Sequence, residues 1–288
     1  MADPSDFTIP SLFNVKGKVA VVTGGGSGIG TMIATAYVQN GAKVYIASRK
    51  EKQLKEAAEQ LNKLGPGSCE YVVADLSSKA GCDKLVDTIK SKETKVNILV
   101  NNSGMSWGAP MDNFPEKEGW DRLMALNVKS IFYVMAHSSL YPRLADLLAK
   151  DATNHSPGSV INISSVAGFA RNSEAGRVAP PGSGVWSYNV SKAAVNHLTS
   201  NLSVTLGKRF ITVNAICPGV FPSKMTAFGF KLAGGAEGMA KGAPWGRVGE
   251  PRDMAGVAFF LASPAGAHVT GAHIVLDGGS LFSGDARL

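Results

Sequence analysis

Seven short apolar runs recur along this 288-residue chain, and longer stretches of helical periodicity separate them. The runs fall at 19–22, 43–47, 71–74, 96–100, 159–163, 211–216 and 273–276. Most are rich in Val and Ile with little polar alternation, the pattern of strands covered on both faces. The helical stretches lie near 28–40, 51–64, 78–93, 116–149, 187–207 and 252–262. Such alternation needs crossover connections, and right-handed crossovers put helices on both faces of a parallel sheet. The pattern predicts one α/β domain over residues 16–288, behind an N-terminal extension at 1–15. It is a three-layer, doubly wound architecture with a seven-stranded parallel sheet.

In such sheets ligands bind beyond the carboxyl ends of the strands, so residues directly after the strands carry the information. Two stretches break the spacing. Residues 171–184 are polar, contain Pro180 and Pro181, and read as an inserted loop. Residues 219–247 lack clean periodicity and read as a substrate lid, since long irregular segments in compact domains are usually functional.

Composition removes several alternatives. Lys plus Arg exceeds Asp plus Glu by 29 − 22 = 7, but the basic residues are scattered, with no basic-aromatic stripe for nucleic acid. Cys69, Cys82 and Cys217 form no CxxC, and no His pair has zinc spacing, so neither a disulfide framework nor a metal is expected. No apolar run approaches the length of a membrane span, and the N-terminus lacks signal-peptide character. The expected location is cytoplasmic. The final Ala286-Arg287-Leu288 is similar to a peroxisomal address, though an arbitrary tail is the plainer reading.

The first strand runs into Thr23-Gly24-Gly25-Gly26-Ser27-Gly28-Ile29-Gly30, and a helix follows. A glycine turn there lets backbone N–H groups approach a pyrophosphate, and the helix N-terminus adds about half a positive charge. Strand, turn and helix in the first βα unit point to a dinucleotide held by Gly24, Ser27, Gly28, Ile29 and Gly30. The second strand ends in Ser48-Arg49-Lys50 without an acid to accept a ribose 2′-hydroxyl. Arg49 and Ser48 suit a 2′-phosphate, which favours NADP(H) over NAD(H).

Of six tyrosines only Tyr188 has a lysine four residues on, Lys192, on one face of a helix. An ammonium near a phenol favours the phenolate, which predicts a lowered pKa and a proton donor to a carbonyl oxygen. The strand at 159–163 ends in Ser164-Ser165, and a hydroxyl there reaches the same oxygen or merely caps the next segment. No Gly-x-Ser-x-Gly elbow surrounds these serines, so a serine hydrolase is not indicated.

Together these motifs resemble the short-chain dehydrogenase/reductase family in its TGxxxGxG and YxxxK form. The resemblance spans Gly17 to about Gly279 and includes Ala74-Asp75-Leu76, Asn101-Asn102-Ser103-Gly104, Asn127, Pro218-Gly219 and Asp277-Gly278-Gly279. It is narrowest toward 3-oxoacyl reductases of the rhamnolipid-pathway type. It implies a Rossmann-like fold and assigns roles. Ser165 orients the carbonyl and Tyr188 protonates it. Lys192 bonds the nicotinamide ribose and lowers the Tyr188 pKa. Asn127 holds a water that relays protons to Lys192. Asp75 and Leu76 meet the adenine and Asn102 the adenosine ribose region. Gly219 and Phe221 line the nicotinamide, with Ser223 near its carboxamide. A homotetramer or homodimer is also implied, through the helices at 116–149 and 187–207 and the C-terminal strand region. One departure is the 23-residue step from Ser165 to Tyr188, which the loop 171–184 lengthens. Long loops add little closure entropy, so the excess is tolerable.

The implied reaction is reversible hydride transfer, in the reductive direction, on a small-molecule carbonyl. Trp107, Met105, Phe114, Met225, Phe228 and Phe230 suggest an apolar pocket, for a 3-oxoacyl thioester on CoA or an acyl carrier protein, or for a bulky ketone. Lys224, Lys231, Lys241 and Arg247 could attract such a carrier, or form an ordinary solvated face. The alternatives are an oxidative alcohol dehydrogenase and a non-catalytic NADP-sensing protein. The presence of Ser165, Tyr188, Lys192 and Asn127 argues against the sensor.

Overall fold

The computed structural model describes residues 6–136, 143–174, 182–241 and 243–283. Seven strands pair in the order β3-β2-β1-β4-β5-β6-β7. They are β1 Val19–Thr23, β2 Lys43–Ser48, β3 Ser68–Val73, β4 Ile98–Asn101, β5 Gly158–Ile163, β6 Ile211–Pro218 and β7 His273–Leu276. Every pairing is parallel. The chain builds outward from β1 to β3, then crosses back to β4 on the other side of β1. The crevice above β1 and β4 is therefore the switch point where this class of sheet binds ligands.

The period of two divides each central strand between two cores. Ala20, Val22, Val44, Ile46, Ile98, Val100 and Ile161 face the helices Gly28–Gln39, Glu51–Leu61 and Pro251–Ala262. Val21, Tyr45, Ala47, Leu99, Val160 and Val213 face Lys79–Lys92, Ser130–Met135 and Leu144–Ala149 on the other side. Burial on both faces explains why these strands read as unbroken apolar runs.

The helical stretch at 116–149 is not continuous. Wide π turns at Glu116–Asp121 and Ala125–Lys129 alternate with α turns at Arg122–Met124 and Ser130–Met135. Ala136 then leaves the helical region at ψ 116°, and a separate helix starts at Leu144, where the Arg143 N–H donates to the Asp146 carboxylate at 2.6 Å. The stretch 219–247 is less irregular than its sequence suggests, with short helices at Ala227–Leu232 and Ala236–Ala240. In the N-terminal extension, Ile9–Leu12 forms one helical turn. Residues 175–181 of the inserted loop 171–184 and the tail at 286–288 lie outside the described residues. Among the described residues no helix is long and apolar enough to cross a membrane. No group of three or more His, Cys, Asp or Glu among them is placed to hold a metal ion.

Candidate active site

The turn after β1 depends on glycine at defined points. Gly24 and Gly28 have φ +66° and +57°, the left-handed region that disfavours a side chain. Gly30 allows close approach instead: a Cβ there would lie 2.4 Å from the Gly24 carbonyl oxygen and 2.5 Å from Asn102 Nδ2. Thr23 joins this turn to the one after β4. Its Oγ1 accepts from the N–H groups of Asn102 at 2.9 Å and Ser103 at 3.0 Å. Asn102 returns the contact, donating through Nδ2 to the carbonyls of Thr23 at 2.9 Å and Gly24 at 3.2 Å. The side chain assigned to the ribose region thus also braces the phosphate turn.

At the end of β2, Arg49 Nη1 lies 3.9 Å from Asp75 Oδ2, and both side chains are about half exposed. Burial pushes the Asp75 carboxyl up. Bonds from the Ser77 hydroxyl and N–H, with the charges of Arg49 and Arg122, outweigh it and hold the pKa below 3.8. Leu76 beside it is buried.

Helix Trp186–Gly207 places Tyr188 and Lys192 one turn apart. Lys192 Nζ stands 5.5 Å from the Tyr188 ring centroid and donates to the Ile163 carbonyl at 2.8 Å. Ser165 follows β5. Its Oγ accepts from the Ala167 N–H at 3.1 Å, as a cap, and donates to the Pro218 carbonyl at 3.4 Å. The capping reading of this serine therefore holds. Burial pushes the Tyr188 phenol above 10, with the Ser165 hydroxyl opposing. Burial lowers Lys192 to about 8, with Cys217 opposing. Burial thus outweighs, in the net shift, the acidifying effect expected of Lys192. The ammonium sits over the ring and on a carbonyl, and desolvation dominates both groups.

Asn127 lies in the π turn Ala125–Lys129, and its amide is fully engaged. Oδ1 accepts from the Met105 N–H at 2.9 Å, while Nδ2 donates to the Met105 carbonyl at 2.9 Å and to Ser191 Oγ at 3.0 Å. Its approach to Lys192 is across Gly104, where a Cβ would lie 3.4 Å from Asn127 Oδ1 and 3.8 Å from Lys192 Nζ. On the lid side, Phe221 is buried against Gly249, and Ser223 closes over Gly28 at 3.2 Å from a Cβ placed there.

One cleft of ≈ 350 Å³ unites these parts. Gly24, Ser27, Gly28, Ile29, Ser48 and Arg49 line it, with Asp75, Leu76 and Asn102. Ser165, Tyr188, Lys192, Gly219, Phe221 and Ser223 complete the same cleft. Gly30 and Asn127 stand behind it, shaping the turn and the Met105 segment.

The sequence family described as enoyl-(acyl carrier protein) reductase matches residues 24–280. A rhamnolipid-biosynthesis 3-oxoacyl-[acyl-carrier-protein] reductase of Pseudomonas aeruginosa is 39% identical over 267 residues, covering 93% of this chain and 97% of that protein. The short-chain dehydrogenase/reductase PhomF of Diaporthe leptostromiformis is 35% identical, covering 94% and 93%. The chain belongs to the short-chain dehydrogenase/reductase family. The solved Pseudomonas aeruginosa RhlG/NADP active-site complex superposes with a TM-score of 0.83 at 38% identity, covering 94% of this chain and 98% of that one.

As a member of this family the protein is an oxidoreductase, and its cleft holds groups that sequence reasoning missed. Lys50, Gln53, Leu126 and Thr226 also line it. Lys50 and Gln53 follow the strand end that was read, so position alone could have flagged them; Leu126 and Thr226 depend on tertiary packing. The apolar set is corrected. Of its six members only Met225 lines the cleft, alongside Lys224. Trp107 and Phe114 close instead around Gly119, where a Cβ would lie 2.9 Å and 2.8 Å from their rings. Phe228 is half exposed. Arg247 pairs with Asp253. The arms of the inserted loop are pinned: Gly184 bridges Ala109, and Val185 N–H donates to the Ser173 carbonyl at 2.9 Å.

Proposed function

We propose that this oxidoreductase uses NADP(H) to reduce a carbonyl, a 3-oxoacyl thioester or bulky ketone, to a secondary alcohol. One observation carries the reading: Ser165, Tyr188 and Lys192 open on the same cleft as the glycine turn and Arg49. The cradle suits a dinucleotide. Gly24 and Gly28 leave backbone exposed at the mouth of a helix N-terminus, and the Ser27 side chain there makes no capping bond. Ser48 and Arg49 would hold the 2′-phosphate, Asp75 and Leu76 the adenine, and Gly219, Phe221 and Ser223 the nicotinamide side. A reduced nicotinamide supplies the hydride.

The chain's own groups manage the proton. Ser165 orients the carbonyl oxygen, Tyr188 gives it a proton, and Lys192 with Asn127 restores that proton. A phenol raised above 10 stays protonated through neutral pH, which is the form reduction needs. The RhlG/NADP complex and the 3-oxoacyl reductase relative support the cofactor and the substrate class. Lys224 at the cleft rim suits an acidic carrier, protein or CoA. The exposed apolar side chains Phe132, Val190 and Val204 support a homodimer or homotetramer paired through their helices, and a sedimentation equilibrium giving a monomer would count against it. The three buried free thiols suit a reducing, cytoplasmic setting.

Tyr188→Phe tests the assignment. Turnover of NADPH with 3-oxoacyl substrates should fall by about 10²–10⁴-fold while NADPH binding persists. Wild-type-like turnover in that variant would refute the role of Tyr188. A wild-type chain that binds NADPH but turns over no member of a broad carbonyl panel would favour the sensing alternative.

A further inference from the structure

Three successive carbonyls of the glycine turn are each held by a side chain from a different element. Asn102 Nδ2 donates to the Gly24 carbonyl at 3.2 Å, Thr31 Oγ1 to Gly25 at 2.9 Å, and Gln53 Nε2 to Gly26 at 3.1 Å. In a trans peptide the C=O and the following N–H point in opposite directions, and no described peptide bond is cis. Fixing these carbonyls therefore fixes the direction of the N–H groups of Gly25, Gly26 and Ser27. Asn102 and Thr31 belong to segments already recognised as parts of the turn. Gln53 does not: it comes from the first turn of helix Glu51–Leu61, directly after Ser48, Arg49 and Lys50. It lines the same cleft, and its stem covers Gly26, where a Cβ would meet Gln53 Cγ at 3.5 Å.

We propose that Gln53 is a positioning residue for the dinucleotide. Its amide holds the Gly26 carbonyl away from the phosphates, so that the Ser27 N–H faces them, and it couples the phosphate turn to the strand end that reads the 2′-phosphate. The inference rests on the NADP(H) reading above. The residue type fits the task. A carboxylate at 53 would set acceptor against acceptor and add charge beside a pyrophosphate. A thioether would keep the stem packed and lose only the donor.

The test measures NADPH and NADH binding by nicotinamide fluorescence, with the melting temperature of the cofactor-free chain, for wild type, Gln53→Met, Gln53→Glu and Arg49→Ala. Losing one positioning hydrogen bond should weaken binding about three- to tenfold. Gln53→Met should show that loss equally for NADPH and NADH at an unchanged melting temperature, and Gln53→Glu a larger one. Arg49→Ala should weaken NADPH alone. The proposal is overturned if Gln53→Met binds both nucleotides like wild type. It is also overturned if that variant loses affinity for NADPH only, since Gln53 would then read the 2′-phosphate directly. A wild-type chain that binds neither nucleotide would remove the parent reading and this one with it, an outcome distinct from failure of the variant alone.

Discussion

Lys192 should reduce the stability of the chain that holds it. The residue is 6% exposed, and burial lowers its pKa from 10.5 to about 8. That gap corresponds to roughly 3 kcal/mol between the two protonation states. The sign follows from proton counting. Below pH 8 folded and unfolded chains both carry the proton, and the folded chain bears the full desolvation cost. Between about 8 and 10.5 the unfolded chain binds more protons, so stability rises with pH. Lys192→Met removes the charge at similar length but leaves the Ile163 carbonyl without its donor, at a cost of about 1–3 kcal/mol. At pH 7 the variant should therefore match wild type or exceed it by up to about 2 kcal/mol. Near pH 10 most of the wild-type penalty is gone, the orphaned carbonyl remains, and the variant should be the less stable chain. Urea unfolding of both cofactor-free proteins at pH 7 and pH 10 measures the change. A stability gap identical at the two pH values would show that water or an unseen counter-charge solvates Nζ, and the reasoning would fail.

Three further substitutions probe the cradle. Thr23→Val keeps the shape but strips the acceptor from two N–H groups, Asn102 and Ser103, and should cost about 2–4 kcal/mol by urea denaturation; a loss under 0.5 kcal/mol would mean that water replaces the hydroxyl. Gly30→Ala drives a Cβ to within 2.4 Å of the Gly24 carbonyl, so turn and helix must separate, costing about 1–3 kcal/mol, with NADPH affinity falling as well. Crystals of that variant with an unmoved turn would contradict the close approach. Arg49→Ala removes a charge-assisted contact and should raise the Kd for NADPH about 10- to 100-fold while leaving NADH within about twofold; equal losses for both nucleotides would displace the 2′-phosphate from Arg49.

The sheet was legible because two-sided burial leaves a local signature. Val19–Thr23 and His273–Leu276 stand where Val and Ile cluster. The edge strand was less legible. β3 begins at Ser68, three residues before the expected start, since its Glu70 is held by ion pairs with Lys43 and Lys92 rather than by apolar packing. The break after Met135 left no periodic trace, and the π turn at Asn127 coincides with an amide clamped to Met105, a contact that only the tertiary fold creates. Tyr188 and Lys192 were legible through their spacing on one helix face. Their electrostatics were not, because the partner of Nζ is a carbonyl on β5, 29 residues away in sequence. The apolar pocket failed for a similar reason. Proximity to a strand end does not fix where a side chain points, and Trp107 points at Gly119.

Desolvation of both groups has a chemical consequence that their spacing alone does not reveal. In water a lysine ammonium and a tyrosine phenol have nearly equal pKa values, about 10.4 and 10. In this cleft the order is reversed and widened: Lys192 falls to about 8, while Tyr188 rises above 10. Under the proposed reaction, a tyrosinate left after protonating the substrate would recover its proton from Lys192 downhill. Nζ lies 5.5 Å from the ring centroid and spends one of its three donors on the Ile163 carbonyl. The ammonium is thus the proton reserve and the phenol the proton donor, and steady turnover needs both charged with protons. Reductive turnover should therefore decline as pH rises through the Lys192 value, well below that of Tyr188. A rate that holds level to pH 10 would show that bulk solvent recharges the phenol without Lys192.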